Sequence, residues 1–431
     1  MSIRDKMRPL FRTLDGGLFS EKAGKADVGD AVSKLQAEGG TLMCWADPFY
    51  PDRVIPQKVL ERSVEVIQQG VACHYTPPIG NADLKEVIAK KIERDNHIKV
   101  NPQRNIIINP GSDVGLYFAM TPFIEPGDEV LVHDPSYPSN FLDPQLLNGV
   151  VVKVPTYEED NYRLRVEEYE KRLTPKTKMV LLSSPNNPTG RVFTREELTE
   201  LSQFIIKHDL ICVCDQAFED TAFPGHEMVT MASLPGMWER TVTVCSCSKG
   251  MALSGYRVGY IFADDVIMDT MYATAVNIQG AANTMVQMAM IPAYEDTSFI
   301  QDYVAEQDFR RRYAYEKFNA VPGVSMPLME SGFYGWVNVS RLGDSSEITA
   351  YLAEEAKTLV NDGKFYGDQG AGHLRIIYGV FADRQKSLDG IDRLCAALAK
   401  RAAQLGIAVI DLEELKTCQI VHRLKVIMKA E

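Results

Sequence analysis

Lys249 lies in Ser246-Cys247-Ser248-Lys249-Gly250, with Ser254-Gly255-Tyr256-Arg257 just beyond it. A lysine amine is ordinarily a solvated ammonium. Hydroxyls and an arginine close by describe a phosphate pocket instead, and the arginine's charge would lower the amine's pKa. A partly deprotonated lysine is what carbonyl chemistry requires. Asp215 ends the apolar run Leu210-Ile211-Cys212-Val213-Cys214. Its bland reading is a helix cap or a salt bridge. Its chemical reading is a buried carboxylate that keeps a pyridine nitrogen protonated, so that the ring can accept electrons. Asn187 sits in SPNNPTG (184–190), where turn chemistry alone accounts for the composition, yet its amide could hold a phenolic oxygen. Gly111-Ser112-Asp113 follows another apolar run and opens a helical pattern, so its backbone amides make an anion site that the helix dipole strengthens.

Each of these groups follows a short apolar run. Strands are expected at 105–109, 129–133 (with Tyr137 after it), 179–183, 210–214, 241–245 and 257–262. Helical patterns separate several of them. Leu60, Val64 and Ile67 share one face; Leu84, Val87, Ile88 and Ile92 share another; a third pattern runs over 195–208. Strands alternating with helices predict an α/β fold, a mostly parallel central sheet with helices on both faces. Ligands of such sheets bind at the carboxyl ends of the strands, so one ligand could touch every group above. Beyond about residue 310, strand patterns at 333–339 and 374–379 mix with helices at 347–361 and 388–405, which predicts a smaller α+β domain. The expected division is an N-terminal segment 1–50 joining the small domain, a large domain 51–309 and a C-terminal small domain 310–431. Residues 16–30 read as a frayed start, and the last 25 or so as an extra strand-then-helix pattern.

The 431 residues exceed what one hydrophobic core organises. A net charge of −12 argues against nucleic acid or an anionic membrane as partner, since both need a basic face. No apolar run approaches the ~18 residues that cross a bilayer, and the N-terminus lacks the apolar core of a secretory signal. The eight cysteines then read as reduced thiols in a cytoplasmic protein. Gly111 to Leu116 is neither a GxGxxG fingerprint nor a Walker loop, which weakens nicotinamide and ATP readings. Cys212/Cys214 and Cys245/Cys247 resemble metal pairs but read as small buried residues, and no metal is expected. Arg310-Arg311-Arg312 reads as a solvated helix face, with the holding of an acidic substrate side chain as its functional alternative.

The order and spacing of Tyr75-Thr76-Pro77-Pro78-Ile79-Gly80, SPNNPTG, Asp215, SCSKGMALSGYRVG (246–259) and HLRIIYG (373–379) resemble the class I/II aminotransferases, fold-type I pyridoxal-phosphate enzymes, over roughly residues 45–400. The resemblance implies pyridoxal 5'-phosphate as cofactor, carried as a Schiff base by Lys249, with Asp215 on the pyridine nitrogen and Asn187 on the ring's O3′. It implies phosphate ligands at Ser246 and Arg257 and at the backbone around Ser112 and Asp113, with Tyr137 stacked on the ring. Tyr75 matches a tyrosine that reaches the neighbouring subunit's phosphate, which implies a homodimer. Arg375 matches the arginine that grips the substrate α-carboxylate, a task suited to a planar two-pronged donor. The implied reaction moves an amino group from an L-amino acid to a 2-oxo acid by a ping-pong mechanism, with Lys249 as general base and then acid. A C–S β-lyase or decarboxylase on the same scaffold would need the same lysine and aspartate. A DNA-binding regulator with this fold would carry a basic segment ahead of it.

Two positions depart from the family pattern. Gln216 replaces a usual glutamate, and Phe218 stands where a tyrosine commonly donates to O3′. Losing that donor predicts a raised pKa for the imine between Lys249 and the cofactor. A spectral titration checks this, and a midpoint no higher than that of tyrosine-bearing relatives would contradict it. Trp45, Phe49 and Tyr50 match the family's substrate mouth. If they face the site, an aromatic or apolar substrate side chain is favoured over a small acidic one.

Overall fold

The computed structural model describes residues 3–13, 30–52 and 54–407. The frayed start expected at 16–30, all but its last residue, and the pattern expected after 407 lie outside them. The strands are β1 (Thr41–Leu42), β2 (Ile106–Asn109), β3 (Glu129–Asp134), β4 (Val150–Pro155), β5 (Thr177–Ser183), β6 (Ile211–Asp215), β7 (Thr241–Ser246), β8 (Gly259–Phe262), β9 (Tyr334–Asn338), β10 (Thr358–Leu359), β11 (Asn361–Asp362) and β12 (His373–Ile377).

Seven strands form the central sheet in the order β2-β8-β7-β6-β5-β3-β4. β8 runs antiparallel to both its neighbours, and the other paired strands are parallel. Because side chains alternate across a strand, β6 sends Val213 to one face and Cys212 and Cys214 to the other. Helices Ser112–Met120 and Asp265–Ile278 cover the first face. Arg195–Lys207 covers the second under β5 and β6, while Ala82–Lys91 and Thr284–Glu295 cover it under β2 and β8. A capping box between Thr194 and Glu197 starts helix Arg195–Lys207. The two cysteine pairs fall into separate hydrophobic clusters. Among the described residues, no group of three or more His, Cys, Asp or Glu could hold a metal ion.

The sheet β11-β12-β9 belongs to a second lobe, packed on helices Phe299–Asn319, Ser345–Glu355 and Arg384–Gln404. β1 pairs in parallel with β10, so the N-terminal segment lies against this lobe. The division expected at 309/310 falls inside the continuous helix Phe299–Asn319.

At four places the structure corrects the local reading of the sequence or adds to it. The helix expected at 347–361 ends at Glu355, because Lys357 takes a left-handed turn (φ 46°) that feeds β10 and β11. β4 is an additional strand beyond those expected: the valine-rich run Val150–Pro155 forms a partly exposed edge of the sheet. Leu60, Val64 and Ile67 do share a face of helix Gln57–Gln68, but that face is exposed, and Val59 and Val66 point inward instead. Arg310 and Arg311 are not solvated. Arg310 donates to the carbonyls of Tyr378 (3.2 Å), Phe381 (2.6 Å) and Ala382 (3.2 Å), and Arg311 lies 4.0 Å from the Phe223 ring centroid and donates to Met329 O. Both are bound into the lobe's own backbone.

Candidate active site

Parallel pairing puts the carboxyl ends of β3, β5, β6 and β7 at one edge of the sheet, and the two antiparallel pairings of β8 bring the carboxyl end of β2 to the same edge. There a cavity of about 440 Å³ is walled by Ser112 and Asp113, Tyr137, Asn187, Asp215, Lys249, Arg257 and Arg375, together with Trp45, Ala46, Asp47, Phe218, Ser248 and Ser254.

Asp215 is the last residue of β6, in register with Ser183 and Val244. The chain turns at once, and Ala217 N–H donates to Asp215 Oδ1 (3.1 Å) in the turn that aspartates favour. Burial raises the Asp215 carboxyl to about 6; the Ala217 amide opposes this, the nearby Asp113 adds to it, and Ser183 Oγ, 3.5 Å from Oδ2, opposes it further. Such a group binds a partner cation strongly, because the cation relieves the cost of its charge.

Lys249 follows β7 by three residues. Its Nζ donates to Ala46 O (2.6 Å) and lies 5.9 Å from the Phe218 ring centroid. Burial lowers the amine to about 8, against the pull of Asp113 and with help from Arg375 and Arg257. The arginine effect expected from sequence is present, but desolvation outweighs it.

Arg257 sits in a left-handed conformation (φ 53°) and donates to Ser254 O (3.1 Å) and Pro110 O (3.5 Å). Its guanidinium passes so close to Gly111 that a side chain there would collide with it. Gly111 (φ 90°) also begins helix Ser112–Met120, whose first amides open beside that guanidinium. A cation and a helix N-terminus thus face one corner of the cavity. Tyr137 Oη donates to Asp113 Oδ1 (3.1 Å), and burial with that neighbour pushes the phenol's pKa up.

Arg375 enters from the second lobe on β12. Asn361 Oδ1 accepts from its Nε (3.0 Å) and Nη2 (2.7 Å), Cys44 O accepts from Nη2 (3.2 Å), and the Tyr366 ring lies under it at 4.9 Å. Nη1 donates to Asn187 Oδ1 (3.1 Å), which bridges the lobes and turns the Asn187 amide nitrogen away from Arg375. The Asn187 turn is braced from within: Asn186 Nδ2 donates to Thr189 Oγ1 (2.8 Å) and Pro135 O (3.2 Å), and Tyr334 Oη donates to Asn186 O (2.9 Å).

Two predicted residues do not wall the cavity. The Ser246 hydroxyl donates to Ser248 Oγ (2.9 Å), and it is Ser248 that reaches the wall. Tyr75 is 98% exposed, away from this chain's cavity. Asp47 and Ala46 were missed. Their only mark in the sequence is Trp45 beside them, and they arrive because β1 carries the N-terminal segment across the site. Trp45 faces the cavity; Phe49 instead packs on Tyr303 (5.3 Å), and Tyr50 lies behind Trp45 (4.7 Å).

Residues 43–391 match the family described as aminotransferase class I and II. The chain belongs to that family. It is an aminotransferase built on the fold-type I architecture, and the family to which it belongs is pyridoxal-phosphate dependent. It is similar to aspartate aminotransferase of Pyrococcus abyssi (32% identity, covering 80% of this chain and 89% of the relative). It is similar also to aromatic-amino-acid aminotransferase 2 of Thermococcus litoralis (31%, with 80% and 89% covered). The solved aromatic aminotransferase of Pyrococcus horikoshii superposes with a TM-score of 0.80 at 30% identity, covering 86% of this chain and 99% of that one. Among the described residues, no helix of this aminotransferase is long and apolar enough to cross a membrane.

Proposed function

We propose that this aminotransferase transfers the amino group of an aromatic L-amino acid to a 2-oxo acid, with pyridoxal 5'-phosphate held on Lys249. The observation that carries this reading is the convergence of Lys249, Asp215, Arg257 and Arg375 on one cavity. The donor set fits the cofactor: an amine lowered to about 8 for its aldehyde, a buried carboxylate for its ring nitrogen, and a guanidinium beside a helix N-terminus for its phosphate. Ser112, the backbone amide of Asp113 and Ser248 would add donors at the phosphate corner, Ser246 supports Ser248, Tyr137 would cover the ring, and the Asn187 amide nitrogen would donate to O3′.

When bound, the cofactor supplies an electron-accepting pyridinium ring. With the cofactor in place, Lys249 Nζ would be the group that takes the proton from the substrate Cα and delivers it to the cofactor's aldehyde-derived carbon. Asp215 holds the ring nitrogen's proton. Arg375 holds the α-carboxylate, and this restricts the rotation of the substrate. Trp45, Leu116 and Phe218 supply apolar wall beyond these groups, which supports an aromatic donor, as does the likeness to the two aromatic aminotransferases.

Replacing Arg375 by Ala removes charged hydrogen bonds worth about 1.5–3 kcal/mol each. It is expected to lower kcat/KM roughly a hundredfold, mainly through the donor's KM; steady-state kinetics check this. A group titrating near 8 is about one-tenth uncharged at pH 7. Capture of pyridoxal phosphate by the cofactor-free protein should therefore accelerate with pH and level off above about 8, as stopped-flow absorbance would record. An ordinary lysine would keep accelerating toward 10.

The exposed stripe Leu60, Val64 and Ile67, with Tyr75 nearby in sequence, supports a homodimer in which Tyr75 reaches the neighbouring subunit's phosphate. The described cysteines are free thiols, which supports a reducing, cytoplasmic location. A panel of amino donors, each offered with a 2-oxo acid, tests the reading. Aromatic donors should give the highest kcat/KM with ping-pong kinetics. Pyruvate or ammonia released without an acceptor would point to elimination instead and overturn it.

A further inference from the structure

Helix Ala82–Lys91 passes directly into a π-helical turn, Ile92–Asn96. In a π turn, residues four and five apart flank the same face, so Lys91, Asp95 and Asn96 point together. They meet the turn that follows β6. Lys91 Nζ lies 2.8 Å from Asp220 Oδ1, 2.9 Å from Glu219 Oε1 and 3.5 Å from Asp95 Oδ2. Glu219 is saturated from other sides. Tyr260 Oη donates to its Oε1 (2.8 Å), and Asn96 Nδ2 (3.2 Å) and Gln216 Nε2 (3.3 Å) donate to its Oε2. The side chains of Lys91 and Glu219 are only 1% and 4% exposed.

None of these residues walls the cavity, yet the cluster joins its two reactive turns. Gln216 follows Asp215, and Glu219 and Asp220 follow Phe218. Asp220 packs so tightly on Gly250, the residue after Lys249, that a Cβ at Gly250 would collide with it. Buried ion clusters are poor sources of stability, because desolvation offsets their attraction; their better-attested use is to fix one arrangement over others.

We propose that Lys91 is a positioning residue: by holding Glu219 and Asp220 together, its ammonium locks the turn bearing Asp215 and Phe218 against the turn bearing Lys249. The inference rests on the cofactor reading above. It accounts for the glutamine after Asp215, whose amide joins the lock where a second carboxylate would repel Glu219.

The test compares holoenzymes reconstituted with pyridoxal phosphate: wild type, Lys91→Met, and the isosteric Asp220→Asn, which keeps the Lys91–Glu219 pair and so serves if the first variant does not fold. Arg375 holds the donor from β12, away from the cluster. The expected result is a fall in kcat of about tenfold with donor KM within about twofold, the signature of misplaced groups rather than lost binding. The midpoint of the pH-dependent cofactor absorbance should also move, by at least about half a unit. A lowered melting temperature with kcat and the midpoint unchanged in Asp220→Asn would overturn the proposal and leave the cluster a merely structural feature. A wild type lacking both cofactor absorbance and transamination would overturn the cofactor reading itself.

Discussion

Lys249→Ala is expected to lower turnover at least ~10,000-fold, the upper end of what a positioned general acid–base supplies, and to leave the fold intact. The fold survives because the side chain faces a cavity rather than a packed core, and among the described residues its amine donates to Ala46 O alone (2.6 Å). The reaction suffers because Asp215 already serves the ring nitrogen, while Asp113 and Asp47, the other acids near the amine, are engaged by Tyr137 Oη and Ser254 Oγ. None of the three can take Nζ's place. Transamination kinetics with an aromatic donor give the loss, and the melting temperature checks the fold. Loss of activity together with unfolding would assign Lys249 a structural part instead.

Asp215→Ala should come next in severity. Burial leaves this carboxyl titrating at about 6 in the cofactor-free protein, so it is at its most effective when a cation arrives to pair with it. Deleting one partner of a buried ion pair costs about 3–5 kcal/mol. At 1.36 kcal/mol per tenfold, that is on the order of a thousandfold in kcat. The cofactor should still bind, because Lys249 and the Arg257 corner remain. Asp215→Glu, with its carboxylate displaced by one methylene, should restore part of the rate, whereas Asp215→Asn should not. Equal rates for the Asn and Glu variants would show that shape rather than charge matters at this position.

Much of the site was legible because a parallel sheet separates its two kinds of residue. Strands buried on both faces read as apolar runs, and the polar residues that end them are those that face a ligand. Asp215 after Ile211–Asp215's apolar residues and Lys249 just past Thr241–Ser246 were visible for that reason. Such reasoning does not separate loop neighbours two residues apart: Ser246, the phosphate ligand implied by the resemblance, donates to Ser248 Oγ, and Ser248 lines the cavity wall. Contacts between distant segments leave no periodic trace. Ala46 reaches Lys249 across 203 positions, carried by the pairing of β1 with β10, strands of two residues each. Periodicity also says which residues share a face but not what covers it. Leu60, Val64 and Ile67 share a face as expected, and that face is exposed, while Arg310 and Arg311 read as solvated and are buried under backbone carbonyls.

The most direct measurement is reductive trapping. The protein is incubated with pyridoxal phosphate, reduced with borohydride, digested and mapped by mass spectrometry. The account predicts one phosphopyridoxyl group per chain, on the peptide that carries Lys249. A stable, stoichiometric label on another lysine, or none at all, would contradict it.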